Sequence, residues 1–220
     1  MFICRLSPGG ERFLLHREIK DESNVTCSRL FIATLPCPQG SGAPSAASSS
    51  ATASQIEVLV KFTDRYNSRA HRLLASADLA PHLYSCSLVC GGLYMVVMAL
   101  LPGQSMEYLV QIQKKVVPRS VFEDVDAAIR MLHTESIVFG DLRQPNVMCV
   151  PESRAESGSG ATERLRGMLV DFDWAGADGE GRYPATVDTR RFAAGVDRNG
   201  AMRKEHGLEM LARLSAVCGL

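Results

Sequence analysis

Apolar positions along this chain change their period several times, and each change predicts an element. Residues 28–35 (SRLFIATL) and 56–62 (IEVLVKF) are β-branched and aromatic runs of strand length. The stretch between them, PQGSGAPSAASSSATASQ (38–55), is rich in Ser, Ala and Gly, so a disordered loop joining two paired strands is expected. From 66 to 78 the spacing turns helical, with Ala70, Leu73, Leu74 and Ala77 on one face, until Pro81 ends the run. Residues 83–89 and 93–101 flank Gly91-Gly92 closely enough for a β-hairpin.

Further along, 105–117 reads as a helix. Pro118 then opens a second one, in which Phe122, Val125, Ile129 and Leu132 recur at steps of three and four. Short strands are expected at 146–150 and 165–170, around a polar loop containing Gly and Ser at 151–164. The tail, 202–217, reads as a helix that buries Leu208, Leu211 and Leu214. Strands gathered first and helices later predict an α+β architecture and not βαβ alternation. There is no internal repeat.

Composition narrows the partners. A length of 220 residues suits one or two domains with a real core. Lys plus Arg (24) equals Asp plus Glu (24), so there is no general attraction to nucleic acid or to an anionic membrane. The longest apolar run, 93–101, stops at Pro102, short of the roughly 20 residues a membrane helix requires. The start, MFICRLSPGG, has a polar break too early for a secretory signal. Seven cysteines without regular spacing suggest reduced thiols and hence a cytoplasmic location. Cys86 and Cys90 lack the second pair that a zinc site needs.

Two stretches carry candidate chemistry: IVFGDLRQPNV (137–147) and LVDFDWAG (169–176). They set Asp141, Asn146 and Asp171 beside runs of Val, Ile and Leu. Buried strands have no use for carboxylates, whereas a divalent cation holding a polyphosphate does. A hairpin between Asn146 and Asp171 would return the chain so that both face one metal.

An Asp in a loop, an Asn five residues on, a short hairpin and then Asp-Phe resembles the catalytic half of the protein-kinase-like superfamily. More closely, the chain is similar to the divergent kinase-like proteins abundant in mushroom-forming fungi. The resemblance runs from about Ser28 to Leu214 and is carried by VLVKFTDRYN, AHRLLASADLAPHL, GGLYMVVMALLPG, VFGDLRQPNVM, LVDFDWAGADGEGRYP and KEHGLEML. It implies a two-lobed protein-kinase-like α+β fold. A reduced antiparallel β lobe would span 1–101 and a mainly helical lobe, with the catalytic and metal-binding loops, 102–220. It also implies ATP and Mg²⁺ as cofactors and a hydroxyl acceptor, protein or small molecule. Asp141 would be the catalytic base, and Arg143 would stand near the transferred phosphate. Asn146 and Asp171 would be metal ligands, while Asp173 either joins the metal shell or is a solvated loop residue. Lys61 would reach the α- and β-phosphates, and Met98, Ala99 and Leu100 would line the hinge that receives adenine.

Several positions depart from the pattern. Phe139 replaces the usual His two residues before the base, exchanging a bracing hydrogen bond for packing. Gly140 replaces the usual Arg, as in aminoglycoside and choline kinase-like relatives, and Asp173 replaces a Gly. Helix 66–78 offers no Glu to Lys61; His71 is the nearest polar candidate. No GxGxxG precedes Lys61, the only upstream Gly pair being Ser7-Pro8-Gly9-Gly10. Trp174 is expected to pack its loop, and His133 and His206 to be helix residues with satisfied hydrogen bonds. Three functions stay open: a phosphotransferase, a pseudokinase scaffold, and a small-molecule kinase of the aminoglycoside-phosphotransferase type.

Overall fold

Four of the described strands precede the first helix, and the β-branched runs at 28–35 and 56–62 predict the last two of them. The computed structural model describes residues 2–6, 11–20, 26–36, 55–152 and 164–220, with side chains described over 29–35, 55–152 and 164–220. The expected disordered loop (apart from Gln55) and Ser7-Pro8-Gly9-Gly10 (apart from its flanks) lie outside the described residues. The chain divides into two compact units, Met1–Asp64 with Tyr84–Leu100, and Arg65–Leu83 with Leu101–Leu220. Residues 65–83, which a boundary at 101 assigns to the first lobe, cluster with the second unit.

In the first unit, β1 (Phe2–Leu6), β2 (Glu11–Lys20), β3 (Thr26–Pro36), β4 (Gln55–Thr63), β5 (Leu83–Leu88) and β6 (Tyr94–Ala99) form one sheet in the order β1-β2-β3-β4-β6-β5. β3 and β4 pair antiparallel, with Phe31 opposite Val60 and Ala33 opposite Val58. The period of two puts Val58 and Val60 on one face, packed with Ala33, Leu35, Met95 and Val97. The β5–β6 turn uses left-handed backbone at Gly91 (φ 85°) and Gly92 (φ 75°), and Val89 N–H donates to Leu93 O at 2.7 Å.

The second unit holds α1 (Ser68–Ala75), β7 (Gln104–Ser105), α2 (Arg119–Thr134), β8 (Ile137–Val138), β9 (Val147–Pro151), β10 (Leu165–Leu169), β11 (Gly176–Ala177) and α3 (Lys204–Val217). The strands make two small sheets, β10-β9-β7 and β11-β8. Extended backbone at Pro118 starts α2, whose stripe Val121, Val125, Ile129 and Leu132 is fully buried. That stripe joins Phe139, Val147, Leu169, Phe172, Leu211 and Leu214 in one core. Each such side chain contributes about 1.5–3 kcal/mol by leaving water. Among the described residues no helix is long and apolar enough to cross a membrane.

Four local expectations change. The helix foreseen over 105–117 shrinks to a π-helical turn, Tyr108–Ile112, behind strand β7. Lys114 turns left-handed (φ 54°), and Val116 and Val117 run into Pro118, a context that disfavours helix. α1 likewise stops at Ala75, where Leu79 N–H returns to Leu74 O at 2.9 Å and Asp78 takes φ 55°. On α3, Leu208 is 46% exposed, and Gly207, Met210, Leu211 and Leu214 face the core instead. Gly207 fits there because a Cβ would meet His133 Nε2 at 3.1 Å. That nitrogen is buried without a hydrogen-bond partner among the described residues, so His133 is not the satisfied helix residue expected. His206 Nδ1 does meet Tyr183 Oη, at 3.2 Å.

Candidate active site

The loop after β8 carries, as its second residue, a glycine that packing demands. Gly140 takes φ 84°, and a Cβ there would fall 2.7 Å from Trp174 O. Gly140→Ala is therefore expected to cost at least about 1 kcal/mol from the left-handed backbone alone, with more from that contact. Urea unfolding measures it; an unchanged midpoint would mean that the loop does not lie against Trp174 as described.

Asp141 follows, only 6% exposed. Its carbonyl accepts from Arg143 N–H at 3.0 Å and from Asn146 Nδ2 at 2.9 Å, which closes the five-residue step into a compact loop. A 3-10 turn over Gln144–Asn146, with Pro145 inside it, completes the loop, and Asn146 N–H donates to Arg143 O at 3.0 Å. Both carboxylate oxygens of Asp141 are engaged by one guanidinium: Arg143 Nε donates to Oδ1, and Nη2 donates to Oδ2 at 2.7 Å. The guanidinium carbon lies 5.2 Å from the Phe192 ring centre and 6.0 Å from that of Trp174. The hydrogen bond to Asp141 holds the Arg143 pKa above its ordinary value against the opposing effect of burial, and Asp171 adds to the attraction.

Asp171 arrives by strand register. β9 and β10 pair antiparallel, with Leu169 opposite Val147, and one step beyond Val170 N–H donates to Asn146 O at 3.0 Å. Asn146 and Asp171 therefore stand at the same end of this hairpin. Asp171 has left-handed backbone (φ 70°), a strain of about 1 kcal/mol or more that tends to cluster at functional loops. Asp173 N–H turns back to Asp171 Oδ1 at 3.4 Å.

The next residue, Phe172, anchors the loop in the core. Its ring stacks on His71 (4.6 Å between centres, 8° between planes) and meets Phe139 edge-on at 5.4 Å. Asn67 ties α1 to the same loop: its N–H donates to Phe172 O at 3.2 Å and its Nδ2 to Ala175 O at 3.2 Å, while Oδ1 caps the helix at Ala70 N. His71 Nε2 lies 2.7 Å from Pro81 O, a pure acceptor, so Nε2 carries the proton and Nδ1 accepts from Tyr66 Oη at 2.6 Å. Burial pushes the His71 pKa down to about 4, and the Pro81 bond opposes this only partly. Both ring nitrogens of His71 are thus taken, by Tyr66 and by Pro81. Asn67 was not anticipated as a site residue, although an Asn directly before a helical run signals a cap. The stack of His71, Phe139 and Phe172 has no local signal at all.

In the first unit, cross-strand register pairs Lys61 with Val96, Leu59 with Met98 and Val58 with Ala99. Lys61 and Met98 thus share the sheet face opposite Val58 and Val60, Ala99 belongs to the other face, and Leu100 lies just past the strand.

No three His, Cys, Asp or Glu side chains among the described residues form a cation cage. Mg²⁺ rarely uses one; it is held by one or two carboxylates together with phosphates and waters. Asn146 spends its Nδ2 on Asp141 O, so its Oδ1 is a hard oxygen donor, as the carboxylate of Asp171 is. Those hard oxygen donors fit Mg²⁺ carried in on a polyphosphate.

No family model matches this sequence, and no curated protein does. Among solved structures, the Cydia pomonella granulovirus kinase PK-1 aligns with a TM-score of 0.61 at 13% identity, covering 94% of this chain and 67% of that chain. At such identity the likeness speaks for fold. The chain has a kinase-like fold, mixed α/β with an antiparallel sheet and several helices.

Proposed function

We propose that this chain is an ATP- and Mg²⁺-dependent phosphotransferase of two-lobed, kinase-like build, which moves the γ-phosphoryl group of ATP to a hydroxyl acceptor. The observation that carries the reading is the hairpin register that sets Asn146 and Asp171 at one end, directly after the Asp141 loop. Asn146 Oδ1 and Asp171 would hold Mg²⁺, with Asp173 as a further candidate. The ion would supply charge neutralisation on the phosphates. Asp141 would take the acceptor's hydroxyl proton while the hydroxyl oxygen bonds to phosphorus and ADP leaves. Arg143, once released from Asp141, would attract the transferring phosphoryl group. Lys61 would pair with the α- and β-phosphates, and Met98, Ala99 and Leu100 would receive adenine. A cytoplasmic setting and a fungal lineage belong to the same proposal. Free thiols at Cys90, Cys149 and Cys218 support the first, and the quoted motifs support the second.

One observation favours a pseudokinase instead: Asp141 has both oxygens bound by Arg143 and is not a free base in this state. Thermal unfolding with MgATP, compared with ATP in EDTA, separates the readings. At 100 times its dissociation constant, MgATP is expected to stabilise the fold by about 2.7 kcal/mol, and ATP in EDTA by less. An unmoved midpoint in millimolar MgATP would leave the inert scaffold.

A further inference from the structure

Asn67 spends every hydrogen-bonding group it has. Its carbonyl accepts from His71 N–H at 3.2 Å and its Oδ1 from Ala70 N–H at 3.0 Å, both at the start of α1. Its own N–H donates to Phe172 O and its Nδ2 to Ala175 O, each at 3.2 Å. Capping by itself does not account for the amide, because Asp and Ser cap a helix about as well. Neither of them brings an NH₂ donor alongside the acceptor. The donor goes to a turn. Phe172 O also accepts from Ala175 N–H, at 3.3 Å, so Asn67 grips both ends of residues 172–175.

That turn borders both candidate loops. Asp171, immediately before it, has left-handed backbone, which persists where the surroundings hold it. Trp174 O is the atom that excludes a side chain at Gly140, one residue before Asp141, and the Arg143 guanidinium lies 6.0 Å from the Trp174 ring centre. Asn67, Asp173, Trp174 and Ala175 also border a cavity of about 310 Å³. Where packing leaves that space, the two bonds from Asn67 restrain the turn. We infer that Asn67 is a positioning residue: its backbone N–H and side-chain amide clamp the 172–175 turn, and through that turn they set the Asp171 carboxylate for Mg²⁺. The metal role rests on the phosphotransferase reading, whereas the clamp rests on the hydrogen bonds alone. Asn67 touches neither metal nor substrate. Without its Nδ2 donor, Asp171 is free to leave the strained conformation, and the metal loses a fixed ligand.

Trp174 reports on the clamp directly, because it is the chain's single tryptophan and sits inside the turn. The test compares the full chain as wild type, Asn67→Asp, Asn67→Ser and Leu73→Ala. Leu73→Ala weakens the packing of α1 against the core without removing a bond to the turn. Asp and Ser keep the cap, so both Asn67 variants are expected to retain the wild-type circular dichroism. Their Trp174 emission should move to the red, and acrylamide should quench it more. Mg²⁺ affinity in the presence of ATP, measured by calorimetry, should fall about fivefold in Asn67→Ser, the equivalent of one hydrogen bond. That variant adds no charge, and it should bind ATP in EDTA as wild type does. Leu73→Ala should lower the urea midpoint and leave both readouts unchanged. Wild-type emission and quenching in both Asn67 variants would overturn the clamp, whatever nucleotide does. An equal red shift in Leu73→Ala would trace the effect to α1 as a whole and overturn it too. If the turn loosens but Mg²⁺ affinity holds, the positioning role falls and the phosphotransferase reading stands. If the turn loosens and the wild type shows no Mg²⁺-dependent ATP binding, that reading falls and takes the metal role with it.

Discussion

Asp141→Asn is expected to lower ATP turnover by about 10²–10⁴-fold, the range for losing a general base, which is about 3–5 kcal/mol of barrier. Nucleotide binding should stay nearly intact. An Asn side chain keeps the shape, and its Oδ1 can still accept from Arg143, so the loop closed on the Asp141 carbonyl persists. What disappears is the charge that draws the acceptor's proton. Asp171→Asn should act on the other half of the reaction. It removes the one charged group that the hairpin register sets beside Asn146, so Mg²⁺-dependent nucleotide affinity should fall. Single-turnover kinetics and MgATP titrations on both variants separate the roles. Equal loss of binding in the two would show the assignment to be wrong.

Acid is expected to weaken the fold through His71. The unfolded residue takes up a proton near its ordinary value of 6.5, but the folded one only at about 4, because its ring is buried between Phe172, Tyr66 and Pro81. Between those values the unfolded state binds more protons. Stability is therefore complete above pH 6.5 and declines as pH falls through the window, by about 2 kcal/mol at pH 5 and about 3 kcal/mol at pH 4. His133 is also held below its ordinary pKa, chiefly by burial, and acts in the same direction. Urea unfolding of wild type and His71→Leu at pH 8 and pH 5 gives the comparison. The variant has a lower stability at both, since it removes the His71 hydrogen bonds to Tyr66 Oη and Pro81 O, but a flatter pH dependence. Equal slopes for the two proteins would rule His71 out. Protonation at Nδ1 would also remove the acceptor for Tyr66 next to the Phe172 stack, so loss of stability and loosening of the Asp171 loop should coincide.

Local spacing was enough to foresee the β3–β4 pair, the β5–β6 hairpin, α2 and the β9–β10 hairpin, because each rests on a period or a turn within one stretch of chain. The same holds for the step from Asp141 to Asn146 and for the placing of Asp171 after a hairpin, since loop length and strand register are local quantities. Other features depended on what meets what. Gly140 is required by the Trp174 carbonyl, 34 positions away in the chain. Leu208 is exposed because the buried face of α3 runs through Gly207, Met210, Leu211 and Leu214, and His133 of α2 requires the glycine at 207. His71 stacks on Phe172 and bonds Tyr66 and Pro81, and no periodicity foretells the face a ring will meet. The Asp141 carboxylate is masked by Arg143 only because the loop turns the guanidinium back, between Phe192 and Trp174. Sequence alone determined the order of the elements and the spacing of the candidate ligands, because backbone periodicity and turn chemistry are written over a few neighbouring residues. Tertiary structure decided which of those residues are stacked, masked or open to a ligand, because burial and electrostatics depend on groups that the chain brings together from far apart.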